Sequence, residues 1–231
     1  MNNKIITIDG PSASGKGTIA KKIADILGFN YLDSGVLYRI LAYIYSSQPD
    51  FSHDINTENI QQCQQILIDK FNHSKILFEN NNIFLENINI TSFIRSETIG
   101  TLASILAANQ NIRIQLLDWQ RKYALAQGLE GLVTDGRDMG TVVFPNAKCK
   151  IFLIADVNKR AQRRYEQIIS QTKNQDVKLN DILLNLKQRD ERDINRSSSP
   201  LKPSNDAFIL DNSNLTIEET VNIVLTYYKT V

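Results

Sequence analysis

The nine residues Gly10-Pro11-Ser12-Ala13-Ser14-Gly15-Lys16-Gly17-Thr18 limit the possible folds more than any other stretch. They follow the apolar run Ile5-Ile6-Thr7-Ile8 and precede Ile19, Ile23, Ile26 and Leu27 at helical spacing. The order is strand, glycine loop, helix, the setting in which a GxxxxGK spacing carries chemistry. The plainer reading is a tight strand-to-helix turn that needs glycine only for its backbone. The spacing also suits a polyphosphate, whose oxygens demand many donors within a small arc. Gly10 and Gly15 have no Cβ, so the loop amides can turn inward while the helix opening near Lys16 adds its dipole. Lys16 can then reach the β- and γ-oxygens as a point charge. Gly17 stands where the general pattern has a Ser or Thr to hold magnesium, and Thr18 is the nearest hydroxyl.

A chain of 231 residues with 42% apolar and 22% charged content is ordinary for a folded globular protein and long enough for a large core. A net charge of +1 gives no argument for a nucleic-acid surface, so the arginine clusters call for small local ligands. Two cysteines, Cys63 and Cys149, are too few for a disulfide framework. No apolar run approaches the roughly 20 residues of a membrane helix, and a strand occupies the start of the chain where a signal peptide needs a longer apolar segment. The expectation is a cytoplasmic protein, monomeric for want of a spare apolar stripe.

Further along, Phe29–Leu32 reads as a strand. Asp33-Ser34-Gly35 then turns into a helix striped by Val36, Leu37, Ile40, Leu41 and Ile44, with Tyr38 and Arg39 on its first turns. From Ser46 to Ser96 the character changes. Ser46 to Pro49 resembles a hinge, and Ile60, Cys63, Leu67 and Phe71 mark a helix. Ile76–Glu79, Ile83–Glu86 and Ile88–Ile90 alternate like a small antiparallel meander turning at Asn80, Asn81 and Asn82. Such a meander does not fit within a parallel sheet, so residues 46–96 are expected to form an insertion. Ser96 can cap a helix through Ile99, Leu102, Ala103 and Leu106. Ile112, Leu116, Trp119 and Tyr123 mark another, closing at Gly128.

Leu132–Thr134 is the next strand, ending in Asp135-Gly136-Arg137-Asp138. That is either a neutralised surface turn or a ligand site at a strand's carboxyl end. Lys150–Ile154 is a further strand. The helix after it carries Arg160, Arg163 and Arg164 on one face, and a second helix carries Arg189, Asp193 and Arg196; either face can be simply solvated. Strand Ala207–Leu210 and a helix opened by Thr216 and Glu219 as a capping box complete the chain. Five strands alternating with helices predict an α/β fold, a five-stranded parallel sheet covered on both faces.

Three segments together carry a family resemblance: Ile8 through Thr18, Leu32-Asp33-Ser34-Gly35 with Tyr38-Arg39, and above all Asp135-Gly-Arg-Asp-Met-Gly-Thr-Val-Val-Phe-Pro145. With Arg189 through Arg196, the sequence resembles the bacterial cytidylate kinases, nucleoside monophosphate kinases of the P-loop class, over nearly its whole length. The resemblance implies a three-layer P-loop fold in one domain, residues 1–231, with a small antiparallel acceptor-binding insertion over 46–96 and a helical lid over 157–199. It implies transfer of the γ-phosphoryl of ATP to CMP or dCMP, assisted by magnesium. Arg39, Arg137 and Arg196 would grip the acceptor phosphate, with Ser34 at the same entry turn. Ser104, Arg113 and Asp138 would read the cytosine edge, although Ser104 suits helix packing equally well. Arg189 and Asp193 would hold the ribose. Arg160 and Arg164 would meet the donor phosphates as the lid closes, and Asp135 would orient water around the ion.

The chemistry fits that inventory, because an acceptor that is already anionic needs no general base. Positioning and charge neutralisation supply the catalysis. His53 and His73 both fall in the insertion and read as structural or solvent-facing. Two other readings stand beside this one: a P-loop kinase for a different small acceptor, and a GTP-binding switch. The switch lacks its guanine signature, since Asn158-Lys159-Arg160-Ala161 has no Asp.

Overall fold

The computed structural model describes residues 4–49, 57–79, 82–125, 130–172 and 177–231. His53, Asn80, Asn81 and Gly128, to which the sequence assigned a surface histidine, a turn and a helix end, lie outside them. The chain divides into two compact units, residues 1–33 with 120–231, and residues 34–119.

The first unit is built on five strands: β1 (Ile5–Asp9), β2 (Asn30–Asp33), and, further along, those labelled β6 (Leu132–Gly136), β7 (Cys149–Ile154) and β8 (Phe208–Asp211). Their order is β2-β6-β1-β7-β8 and every pairing is parallel. β1 is buried at all five positions, as expected of a central strand covered on both faces. On the sheet pack α1 (Lys16–Leu27) and α9 (Ile217–Tyr228). α1 contributes Ile19, Ala20, Ile23 and Ala24 to a core shared with Ile6, Ile8, Val133, Ile151, Val221 and Val224. Ile26 sits at the edge of that stripe and is 61% exposed, so periodicity overcounted the buried face by one residue. Gly28 ends α1 at φ 66 with its amide on the Ala24 carbonyl, a left-handed cap that favours glycine. α9 opens with the expected capping box, Thr216 and Glu219 each satisfying the other's backbone amide. Two further helices, α7 (Val157–Thr172) and α8 (Leu179–Asn195), pack on each other through Ala161, Ile182 and Leu186.

The second unit holds α2 (Ser34–Ser46), α3 (Thr57–His73), the antiparallel sheet β3 (Ile76–Glu79), β4 (Asn82–Leu85) and β5 (Ile88–Asn89), then α4 (Thr91–Ile94) and α5 (Glu97–Leu106). α6 (Gln110–Leu125) begins here and runs into the first unit. The core of this unit comes from the stripes of these helices, with Leu37, Ile40, Leu41, Leu67, Ile94, Leu106 and Ile112 nearly or wholly inaccessible, joined by Ile90 just before α4. Ser96 caps α5 by accepting from the Ile99 amide, as its position suggested.

Two substitutions separate core from cap. Ile23→Ala should cost ~2–5 kcal/mol through lost burial and a residual cavity, and Thr216→Ala ~1 kcal/mol through the lost cap. Urea unfolding with an unchanged slope reads both.

Candidate nucleotide-binding site

Three strands of the first unit end side by side, and their last residues are acidic or flank an acid. In the parallel register Asp33 of β2 lies beside Asp135 of β6, and Asp9 of β1 lies beside Gly136. Carboxyl ends of strands are where open α/β sheets take ligands. The glycine loop leaves β1 at this edge. At Gly10 a Cβ would sit 2.3 Å from the Leu153 carbonyl oxygen, so the loop passes β7 too closely for any side chain. Gly15 turns into α1 at φ 87, a conformation that favours glycine.

Side chains from distant segments hold the loop by its main chain. At Ser12 all three polar groups are engaged. Its amide donates to Asp190 at 3.2 Å, its carbonyl accepts from Arg160 at 3.0 Å, and its hydroxyl accepts from Arg137 at 2.7 Å. Arg160 also donates to Asp190 at 2.6 Å and to the Ala155 carbonyl at 2.9 Å. Two residues on, the Ser14 carbonyl accepts from the buried Asn212 at 2.9 Å, and the Asn212 carbonyl in turn takes Arg163 at 2.7 Å. Lys16 folds back to donate to the Pro11 carbonyl at 3.0 Å.

Charge accumulates behind this loop. Burial drives the Lys16 ammonium well below its usual range, Arg137 pushes it further, and Asp135, Asp33 and Asp193 pull the other way. Burial likewise raises the Asp135 carboxyl, Asp33 adds to the rise, and Lys16, the 2.7 Å hydrogen bond from the Tyr31 phenol, and Arg137 oppose it. Burial works against the Arg137 charge, yet its 2.7 Å pair with Asp193 and the nearby Asp190 and Asp135 raise its pKa. Asp193 is buried too, and Arg137, Arg196 and Arg189 together still hold its carboxyl below the ordinary range. Arg196 lies 3.8 Å from Asp193 and donates to the Ser199 carbonyl at 2.6 Å.

The Asp135 to Pro145 segment keeps its shape through β1. Met139–Val143 forms one π-helical turn whose first amides, Met139 and Gly140, donate to the two carboxylate oxygens of Asp9 at 2.8 Å each. Burial raises the Asp9 pKa to about 6, partly offset by those two bonds. Gly140 is required sterically, since a Cβ would lie 2.9 Å from the Thr7 hydroxyl. Lys150 holds the end of the segment by donating to the Pro145 carbonyl at 2.6 Å. Asp138 is buried at the start of the turn.

The first unit therefore brings together Lys16, Arg137, Asp193, Arg196 and Arg160 around the loop. Arg164 is half-buried on α7 and donates to Gln167, and Arg189 is half-buried on α8 within electrostatic reach of Asp193. Thr18 is exposed on α1. The position that looks at Asp135 is Gly17, where a Cβ would lie 3.8 Å from both carboxylate oxygens and 3.4 Å from the Tyr31 hydroxyl. Ser34, Arg39, Ser104 and Arg113 belong to the second unit. There Ser34 is buried at the start of α2, and Arg39 donates to the Ile94 carbonyl at 2.6 Å through space that a Cβ on Gly100 would fill. Arg113 is buried, lies 5.5 Å over the Tyr38 ring and donates to the Ala107 carbonyl at 3.0 Å. Ser104 is half-buried on α5. His73 is exposed at the end of α3, its Nδ1 2.7 Å from the Asp69 carbonyl oxygen. Sequence reasoning missed Asp190, Asn212, Tyr31 and Gly100. Asn212 alone had a positional signal, directly after a strand's carboxyl end.

A parallel α/β sheet, a glycine loop at its carboxyl edge and a lysine at the head of the next helix define a P-loop nucleotide-binding protein. A family model described as cytidylate kinase matches residues 6–230. A cytidylate kinase of Nitrosomonas europaea is 40% identical over 228 residues, covering 99% of this chain and 96% of that protein. One of Acinetobacter baylyi is 41% identical over 231 residues, covering 98% and 97%. The fold is shared with an uncharacterized protein from Eubacterium ventriosum at a TM-score of 0.52, with 14% identity and 99% of each chain covered. The chain belongs to the cytidylate kinase family.

The state of Lys16 predicts proton linkage. Its pKa is lowered in the free protein, and a polyphosphate beside it favours the charged form and raises it again. ADP binding at pH 8 in the presence of EDTA should therefore take up a measurable fraction of a proton per site. Calorimetry in buffers of different ionisation enthalpy reads this, and Lys16→Met should reduce it.

Proposed function

We propose that this chain transfers the γ-phosphoryl group of ATP to CMP or dCMP, giving ADP and CDP or dCDP by in-line displacement. The observation that carries the reading is Arg137. It comes from the segment that marks the family and rests on Ser12 inside the phosphate loop with Asp193 behind it. A guanidinium there can hold an anionic acceptor against the donor without any proton being removed.

On this reading the loop Gly10 to Thr18, through its main-chain amides other than that of Ser12, which Asp190 takes, and the Lys16 ammonium hold the donor. Arg137, Arg160, Arg164 and Arg196 supply positive charge for the transferring phosphoryl. Arg39, Arg137 and Arg196 grip the acceptor phosphate with Ser34. Asp138, Arg113 and Ser104 read the base, and Arg189 and Asp193 hold the sugar. Residues 46–96 form the acceptor-binding insertion and residues 157–199 the lid of a single domain. Asp138 gives the base choice its logic: a carboxylate accepts from the amino group of cytosine and would face the carbonyl of uracil unpaired.

Magnesium fits the carboxylate edge. Asp33 and Asp135 sit side by side, and Asp33 disfavours the charge of Asp135, an arrangement that a divalent cation relieves. Among the described residues no group of three or more His, Cys, Asp or Glu can hold a metal, and Gly17 offers no hydroxyl. Asp135, with Thr18 as the nearest hydroxyl in sequence, would therefore act largely through water. When bound, the ion screens the phosphate oxygens. No helix among the described residues is long and apolar enough to cross a membrane. The proposal is completed by a monomer working in the cytoplasm, with no nucleic-acid partner.

Turnover with a panel of nucleoside monophosphates tests the reading, which predicts preference for CMP and dCMP; equal or better use of another acceptor would overturn it. Lys16→Ala should lower kcat by ~100-fold or more, the scale for losing one preorganised charge contact, while CMP affinity changes little. Asp138→Ala should erode discrimination between CMP and UMP by ~10-fold or more, with ATP affinity nearly intact.

A further inference from the structure

The amide, carbonyl and hydroxyl of Ser12 each have a side-chain partner, and one of these partners has no role in the reading above. Asp190, on α8, accepts the Ser12 amide and the Arg160 guanidinium, and Arg160 returns to the Ser12 carbonyl. We propose that Asp190 is a positioning residue for the phosphate cradle: it fixes Ser12 by its amide directly and by its carbonyl through Arg160. The inference rests on the nucleotide-binding reading of the loop.

Three features argue for it. First, the Asp190–Arg160 pair is largely withdrawn from water, with side chains 13% and 7% exposed. A buried pair offsets its desolvation only when nearly every donor and acceptor is used. Here the remaining partners of the pair are main-chain groups, two of them on Ser12 and one on Ala155. The ion pair is thus complete only when Ser12 is in place, and the pair in turn holds both main-chain groups of Ser12.

Second, the next residue, Ala13, has φ 58. An alanine in the left-handed region is strained, and such strain persists only where the surroundings over-determine the backbone. Fixing both main-chain groups of Ser12 does that immediately before the strained residue, and Asn212 fixes the Ser14 carbonyl immediately after it. Third, Arg137 reaches the Ser12 hydroxyl and pairs with Asp193, one helical turn from Asp190 on the same helix. A single face of α8 therefore sets the loop and the guanidinium beside it.

The test is a double-mutant cycle on ADP binding by the full-length protein, without CMP. Asp190→Ala and Arg160→Ala should each raise the ADP dissociation constant ~10-fold, and the double variant should bind no worse than the weaker single one, because both remove the same clamp. Asp190→Asn keeps an acceptor for the Ser12 amide without the charge and should fall between. A residue that only stabilises the fold would lower Tm while leaving ADP affinity within about twofold of wild type, and that result overturns the proposal. Multiplying effects in the double variant overturn it as well. Should Asp190→Ala not fold, Asp190→Asn replaces it in the same cycle. ADP binding does not depend on the acceptor, so a failure of CMP turnover in the wild-type protein would count against the proposed reaction and leave this cycle readable.

Discussion

A loop that presents its amides to a phosphate must leave its remaining polar groups to be satisfied by something else, and the first unit is arranged around that requirement. Pro11, Ser12 and Ser14 lend their carbonyls to Lys16, Arg160 and Asn212, and the Ser12 amide goes to Asp190. These partners come from the head of α1, from α7, from the end of β8 and from α8. Four segments thus converge on three loop residues. An unsatisfied buried backbone group costs about 1–3 kcal/mol, so each partner both stabilises the loop and restricts it to one shape.

The same economy governs the Asp135 to Pro145 segment. Asp9 spends its carboxylate on two amides of the π-helical turn, which explains why an acid sits at the end of a fully buried strand. It needs no substrate to account for it. Gly140 is small because Thr7 lies beneath it, and Lys150 is buried because it closes on Pro145 and Asp206. Much of what makes the segment distinctive is scaffolding; Arg137, which the scaffold delivers to Ser12, is the part turned toward the loop.

The sequence made the parallel sheet readable because each strand is a short apolar run bounded by glycine, aspartate or a helix cap, and each following helix has an apolar stripe. α1, with Lys16 at its head and Gly28 at its end, falls where the spacing placed it. The antiparallel meander was legible from alternation at Ile76–Glu79 and Ile83–Leu85. Pairings between remote side chains were not legible. Asp190 sits in a run of charges, Arg189-Asp190-Glu191-Arg192-Asp193, where nothing in the spacing distinguishes the residue that turns to Ser12 from its neighbours. Tyr31 read only as one apolar member of a strand. Gly100 interrupts a helical stripe for a reason that appears only when Arg39 lies against it. Periodicity reports which face is covered, whereas the choice of partner across tens of residues depends on the fold already formed.

Tyr31 and Gly17 face each other across strand and helix. The phenol stands 3.4 Å from the point where a side chain at position 17 would begin, so the space that glycine leaves open on the helix is bordered by a hydroxyl from the neighbouring strand. A side chain longer than alanine at position 17 would have to be fitted beside that phenol and the Asp135 carboxylate.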